Sequence, residues 1–120
     1  MVVRGIRWIG YEEAIVTVSD GTHDCAAFCH PCSLTVGATL TEPLHALDVA
    51  EVRLSDGWSE RIVNQAELGE FNHRVVARVL DFTRGVVSVG SISIDGVRLP
   101  GDVRDGEFVE FEVERLDVIA

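Results

Sequence analysis

The sequence predicts a mainly β protein built as a single domain. Its 120 residues are too few for two well-built domains. Val and Ile together number 26, against 18 for Ala and Leu, and β-branched residues favour extended backbone whereas Ala and Leu favour helix. Asp-Gly, a dipeptide typical of tight hairpin turns, begins at positions 20, 56, 95 and 105. Because no linker or low-complexity stretch divides the chain, residues 1–120 are expected to form one domain.

The first hairpin is predicted around Asp20-Gly21. A two-residue loop there pairs Val18 with His23, and the alternation on both sides of the turn gives one largely apolar face. The Asp-Gly at residues 56–57 fits a two-residue loop poorly, so a longer loop is expected at that point.

The stretch from residue 41 to 54 is consistent with either a helix or a strand. Thr41 and Pro43 resemble the start of a helix, and Leu44 and Leu47 follow at helical spacing. Residues 44–54 can equally form a strand, so both structures stay open.

Two more hairpins are predicted in the second half of the chain, with turns at residues 84–85 and 95–96. The apolar pairs expected across these turns are Phe82 with Val87, Leu80 with Val89, Ile94 with Val97 and Ile92 with Leu99. Between the two turns the apolar alternation changes parity at Gly90, which indicates a β-bulge.

The last strand has the clearest alternation in the chain. Its inward residues are Val109, Phe111 and Val113, and its outward residues are Glu110, Glu112 and Glu114. Leu116 and Val118 then change parity, and such irregularities let a small sheet curl closed.

Five or six strongly bent strands with at most one short helix predict a small closed barrel. The order of the strands, the glycine bulge and the spacing of Gly101, Asp102, Gly106 and Val109 resemble an OB-fold-type barrel. The resemblance covers most of the chain at the level of pattern. It implies a binding domain, because such barrels take oligonucleotides, oligosaccharides or other proteins on one face and its loops.

The net charge of the chain indicates which class of partner it can attract. Ten basic residues, all arginine, stand against 20 acidic ones, which gives a net charge of −10. An acidic protein repels nucleic acid and anionic membranes and attracts basic partners, so the expected partner is a protein, and a basic one suits this charge. No apolar run is long enough to cross a membrane, and the first ten residues lack the core of a signal peptide. Together with an odd number of cysteines, these features predict a cytoplasmic protein.

The densest cluster of reactive residue types lies at positions 23–32. In a strand, Cys25 and Cys29 would be about 13 Å apart, too far to share one zinc ion. A smaller zinc site, with Cys29, Cys32, His30 and His45 as candidate ligands, stays open as an alternative.

Residues 29–32 also have the C-x-x-C spacing of thiol redox proteins. That chemistry needs a thiolate at the N-terminus of a helix, and the following Ser33-Leu34-Thr35 is a poor helix former. No nucleotide-binding, metalloprotease or serine-hydrolase motif is present either. The protein is therefore expected not to be an enzyme and, zinc aside, to need no cofactor.

Two sets of charged residues are candidates for binding. Arg74, Arg78 and Arg98 are predicted to share an outward face, and arginine suits the phosphates and bases of single-stranded nucleic acid. The outward row of Glu110, Glu112 and Glu114, together with Trp58, is the candidate surface for a protein. The primary expectation is a small binding or adaptor module that contacts another protein. A metal- or thiol-dependent protein and a single-strand nucleic-acid binder are the alternatives.

Overall fold

A computed structural model describes residues 1–57 and 59–119 of the chain. Its nine strands are β1 (Val2–Gly10), β2 (Glu13–Ser19), β3 (Asp24–Cys29), β4 (Leu44–Leu54), β5 (Arg61–Asn64), β6 (His73–Asp81), β7 (Val86–Val89), β8 (Ile92–Asp95) and β9 (Phe108–Asp117). No helix forms within these two ranges, and the stretch that permitted a helix or a strand is strand β4.

Five of the strands close into a small barrel. They follow one another around it in the order β9, β4, β8, β7 and β6, and β6 then pairs with β9 to complete the ring. Only β4 and β8 run parallel; the other neighbours are antiparallel. The predicted mainly β barrel is confirmed, and its closure is consistent with an OB-like barrel.

The strands outside the barrel raise the total above the five or six that were predicted. β1, β2 and β3 form an antiparallel meander, which joins the barrel where Phe28 pairs with Asp117 of β9. The short β5 lies on the first half of β6. β2 and β3 bury alternate or consecutive residues as a barrel strand does, so the local sequence pattern alone does not distinguish them from barrel strands.

The core is built from the inward residues of the barrel strands. In β9, Val109, Phe111 and Val113 are buried as predicted, and Leu116 and Val118 are buried after the change of parity. Two consecutive unburied residues at positions 114–115 make that change possible.

The predicted registers of two hairpins are wrong. β2 and β3 pair Val18 with Cys25, so the loop has four residues, Asp20 to His23, where two were expected. β6 and β7 pair Val79 with Val87, which leaves Leu80 and Phe82 exposed. The first error shifts the partner by two residues and therefore keeps every side chain on its predicted face.

Gly90 lies in a tight turn and not in a bulge. Val89 pairs with Ile92, so Gly90 and Ser91 form a two-residue loop between β7 and β8. The φ angle of Gly90 is +57°, as glycine permits at the first position of such a turn. The glycine amide donates to the carboxylate of Glu60. With the turn at this point, the predicted pairing across residues 95–96 does not form.

Asp20 ties the meander to this turn. Its carboxylate, only 6% exposed, accepts hydrogen bonds from the amides of Thr22 (2.9 Å), His23 (2.7 Å) and Ser91 (2.8 Å). Burial acts to raise the pKa of Asp20, but these hydrogen bonds outweigh it and hold the pKa well below its usual range. The ionised carboxylate therefore stabilises the fold.

His73 joins the barrel to the meander at a second point. The side chain is fully buried, its Nε2 accepts a hydrogen bond from the Ala26 amide (3.1 Å), and its Nδ1 donates to the Phe71 carbonyl (2.8 Å). These partners require a neutral ring with the proton on Nδ1. Burial lowers the pKa of His73, and the hydrogen bond to Phe71 opposes that shift only in part.

We predict that Asp20→Ala lowers the free energy of unfolding by about 2–3 kcal/mol, because amides that bond a charged acceptor lose it. Asp102→Ala, at an exposed position, is the matched control and should change it by less than about 0.5 kcal/mol. Urea unfolding at pH 7 measures both. The stabilisation by Asp20 is complete above the unfolded pKa of about 4 and is lost as the pH falls through the lower folded value. Equal stability of the two variants would contradict the role given to Asp20.

We also predict that the free energy of unfolding falls as the pH drops below 6.5, the ordinary pKa of histidine. The unfolded state takes up a proton there while folded His73 resists it, so acid favours unfolding until the lower folded pKa is passed. His73→Gln, which does not titrate, should reduce this slope, whereas His30→Gln, at an exposed position, should leave it unchanged. Urea unfolding at pH 7.5 and 5.5 checks both, and an unchanged slope in His73→Gln would exclude His73 as its source.

Candidate functional site

The structure brings Cys29 and Cys32 together beneath the turn between β1 and β2. Both residues are buried, with 2% and 7% of their surface exposed. The amide of Cys32 donates to the carbonyl of Glu12 in that turn (2.8 Å). Burial, with a contribution from the Cys32 thiol, raises the pKa of Cys29 to about 12. A thiol in this state is a poor nucleophile.

The two histidines of the zinc alternative do not join these cysteines. His30 is exposed and stacks beside Phe28, with ring centroids 6.3 Å apart. The Nδ1 atom of His45 lies 2.7 Å from Oδ1 of Asp95. In residues 1–57 and 59–119, no group of three or more His, Cys, Asp or Glu side chains is placed to hold a metal ion.

Cys25 is a core residue. It pairs with Val18 across the β2–β3 hairpin and is 4% exposed. Burial raises its pKa to about 12, so this thiol too is in its neutral form at physiological pH.

The acidic row of β9 is partly neutralised by arginines on its neighbours. Arg53 Nε donates to Glu110 Oε1 at 2.6 Å, and Arg74 lies 4.0 Å from Glu112. The hydrogen bond from Arg53 lowers the pKa of Glu110. Glu110 and Glu112 are half-buried, and Glu114 is exposed. Trp58, the fourth member of this candidate surface, lies outside the described residues.

Of the three arginines of the nucleic-acid alternative, Arg74 and Arg78 lie at outward positions of β6, and Arg98 lies on a different segment. Arg74 is engaged with Glu112, and Arg78 is exposed on β6. Arg98 follows β8 and lines a groove with Arg84, which belongs to the β6–β7 turn. The arginines that share a site are therefore Arg84 and Arg98.

The most exposed apolar residues of the meander lie at the end of β1 and in the turn that follows. Trp8 is 54% exposed, Ile9 43% and Tyr11 87%. Exposed aromatic residues grouped in this way are typical of protein-binding surfaces. The predictions from the sequence did not include this surface. A signal was present in residues 8–11, where apolar side chains occupy both sets of alternate positions, because a half-buried strand has them on one face only.

β1 is also an edge strand, and most of its outer side is open. Residues 37–40 cover its beginning through the bonds Val3 N–H to Ala38 O (2.9 Å) and Gly37 N–H to Val3 O (2.8 Å). From Arg4 to Gly10 the strand pairs only with β2 among the residues that the structure describes. A charged contact between Arg7 and Glu70 joins the open part of β1 to the loop before β6. This edge with its aromatic residues is the candidate functional site.

Comparison with known proteins found no matching family model, no similar curated protein and no similar solved structure. Within the described residues, no helix is long and apolar enough to span a membrane.

We predict that the native cysteines resist alkylation. At pH 7.5, Cys29 and Cys32 should react with iodoacetamide at least about a hundredfold more slowly than the engineered surface thiol of Thr39→Cys, because both are buried and the raised pKa of Cys29 keeps its thiol neutral. Mass spectrometry of time points measures the rates, and all three native thiols should react in denaturant. Rapid labelling of Cys29 in the folded protein would instead indicate an available thiolate and favour the thiol-dependent alternative.

Proposed function

We propose that this protein is a non-enzymatic binding module that takes up an extended segment of another protein along the open edge of β1. The observation that supports the proposal is the edge itself. Between Arg4 and Gly10 its outer backbone groups have no strand partner in the described ranges, and Trp8 and Tyr11 stand exposed beside it.

Strand addition uses the physics of the existing sheet. An edge strand presents a row of N–H and C=O groups that an incoming extended segment can bond, and the main chain supplies affinity while side chains supply specificity. Large aromatic side chains contribute disproportionately to such interfaces. β1 has both features, since Trp8 lies within the strand and Tyr11 in the turn that follows.

The charge of the chain favours a basic partner over a second copy. Each copy carries −10, so two copies repel one another, whereas a segment rich in Lys or Arg is attracted. Glu12 and Glu13 follow the aromatic residues directly and provide local negative charge. We further propose a cytoplasmic location, because three free thiols suit a reducing compartment.

The proposal is tested with a displayed library of random peptides, selected on the wild-type protein and counter-selected on the double variant Trp8→Ala/Tyr11→Ala. We expect the enriched peptides to be basic and rich in β-forming residues. Their affinity for the double variant should be at least about thirtyfold lower, because loss of aromatic anchors typically costs 2 kcal/mol or more. Hydrogen exchange should show protection of residues 4–10 when a peptide binds.

The matched control is Val36→Ala, which truncates another exposed apolar side chain and should leave peptide affinity unchanged. Thermal melting of each variant establishes that it is folded. Peptides that bind the double variant as well as the wild type, or a failure to enrich any peptide, would contradict the proposal. A stable dimer through β1 in sedimentation experiments would identify a second copy as the occupant and would also contradict it.

A further inference from the structure

A second surface feature, on the barrel and apart from β1, combines positive charge with an aromatic ring. The β6–β7 turn and the segment after β8 form the two walls of an open groove of about 490 Å³. Phe82, Thr83 and Arg84 line one wall, and Arg98 and Leu99 line the other.

The two walls are held together by their backbones. The amide of Val97 donates to the carbonyl of Gly85 at 3.2 Å, and Val97 itself is buried. Gly85 has a φ of +67°, and a Cβ atom there would collide with the carbonyl oxygen of Val97. Only glycine permits this approach, so the groove is formed before any ligand arrives.

The groove is positively charged although the protein is acidic. Its lining contains two arginines and no acidic residue, and neither Arg84 nor Arg98 forms an ion pair with any residue in the described part of the chain. Two acids that contact the β6–β7 turn bond its backbone amides. Asp81 accepts from the Arg84 amide (3.1 Å), and Asp105 accepts from the Phe82 amide (2.8 Å).

Two guanidinium groups and a hydroxyl beside a partly exposed aromatic ring suit one class of small ligand. Guanidinium groups bind phosphate through paired hydrogen bonds, the Thr83 hydroxyl adds a donor, and the exposed part of the Phe82 ring offers a surface for stacking. We infer that this groove binds a nucleoside monophosphate, with the phosphate between Arg84 and Arg98 and the base against Phe82.

The overall charge distinguishes this ligand from a nucleic-acid strand. A monophosphate places its negative charge in the groove alone. Each further phosphate of a nucleic-acid strand would lie outside the groove, where a protein with a net charge of −10 repels it. We therefore expect AMP to bind and an oligonucleotide to bind no better than AMP.

The experiment is calorimetric titration at low salt with AMP, adenosine, inorganic phosphate and the octanucleotide dT8 as separate probes. AMP should bind more tightly than adenosine or phosphate, because it engages both the arginines and Phe82. Arg84→Gln and Arg98→Gln should each weaken AMP about tenfold, as expected for loss of a charge-assisted contact. Phe82→Leu should weaken AMP but not phosphate.

Arg78→Gln is the matched control, because Arg78 is exposed on β6 and does not line the groove. It should bind AMP like the wild type, and thermal melting should find all four variants folded. Equal weakening in Arg78→Gln, no preference for AMP over adenosine, or no binding at millimolar AMP would overturn the inference. Tighter binding of dT8 than of AMP would overturn it in favour of a nucleic-acid strand. The Trp8→Ala/Tyr11→Ala variant should bind AMP like the wild type, so the test of this groove is independent of the test of the β1 edge.

Discussion

The rest of the structure depends on the double pairing of β9. Residues 109–113 bond β4 on one side and β6 on the other, so the barrel closes without a free edge at this strand. The inward side chains of the same residues form the centre of the core. Near its end the strand turns to the meander, where the Val118 amide donates to the Phe28 carbonyl at 2.8 Å. One strand therefore closes the barrel and attaches the remaining sheet.

This closure also decides which charges are available for binding. Because β4 and β6 flank β9, Arg53 lies across from Glu110 and Arg74 across from Glu112, and much of the charge on that wall is used within the protein. Arg84 and Arg98 belong to connections at the ends of barrel strands, beyond the reach of this row. The ion pairs on the barrel wall thus leave the two arginines of the groove without a carboxylate partner in the described part of the chain.

The meander is held firmly but leaves an edge open. Asp20 bonds it to the β7–β8 turn through the Ser91 amide. His73, the first residue of β6, bonds that strand to β3, and both nitrogens of its ring have a hydrogen-bond partner. These contacts act on the β2–β3 loop and on β3, whereas the outer side of β1 bonds residues 37–40 at its beginning and contacts Glu70 through Arg7. The outer side of β1 therefore has no strand partner from Arg4 to Gly10 among the described residues, as strand addition requires.

The sequence by itself determined the class of fold and the facing of individual strands. The alternation from Val109 to Val113 separates inward from outward residues, because side-chain direction in a strand is a local property with a period of two. The same period of two could not identify the turn at Gly90, because a tight turn and a bulge both shift the apolar residues from odd to even positions in the sequence. The spacing of Cys29 and Cys32 allowed their contact but carried no information on where the histidines lie.

Only the tertiary structure decided the pairing between distant strands and, with it, the candidate sites. Arg53 meets Glu110 across 57 positions of sequence, and Arg98 joins Arg84 because Val97 bonds Gly85. The open edge of β1 likewise follows from what the remaining strands do not cover. Such contacts are set by the closure of the barrel as a whole, and no local pattern encodes them.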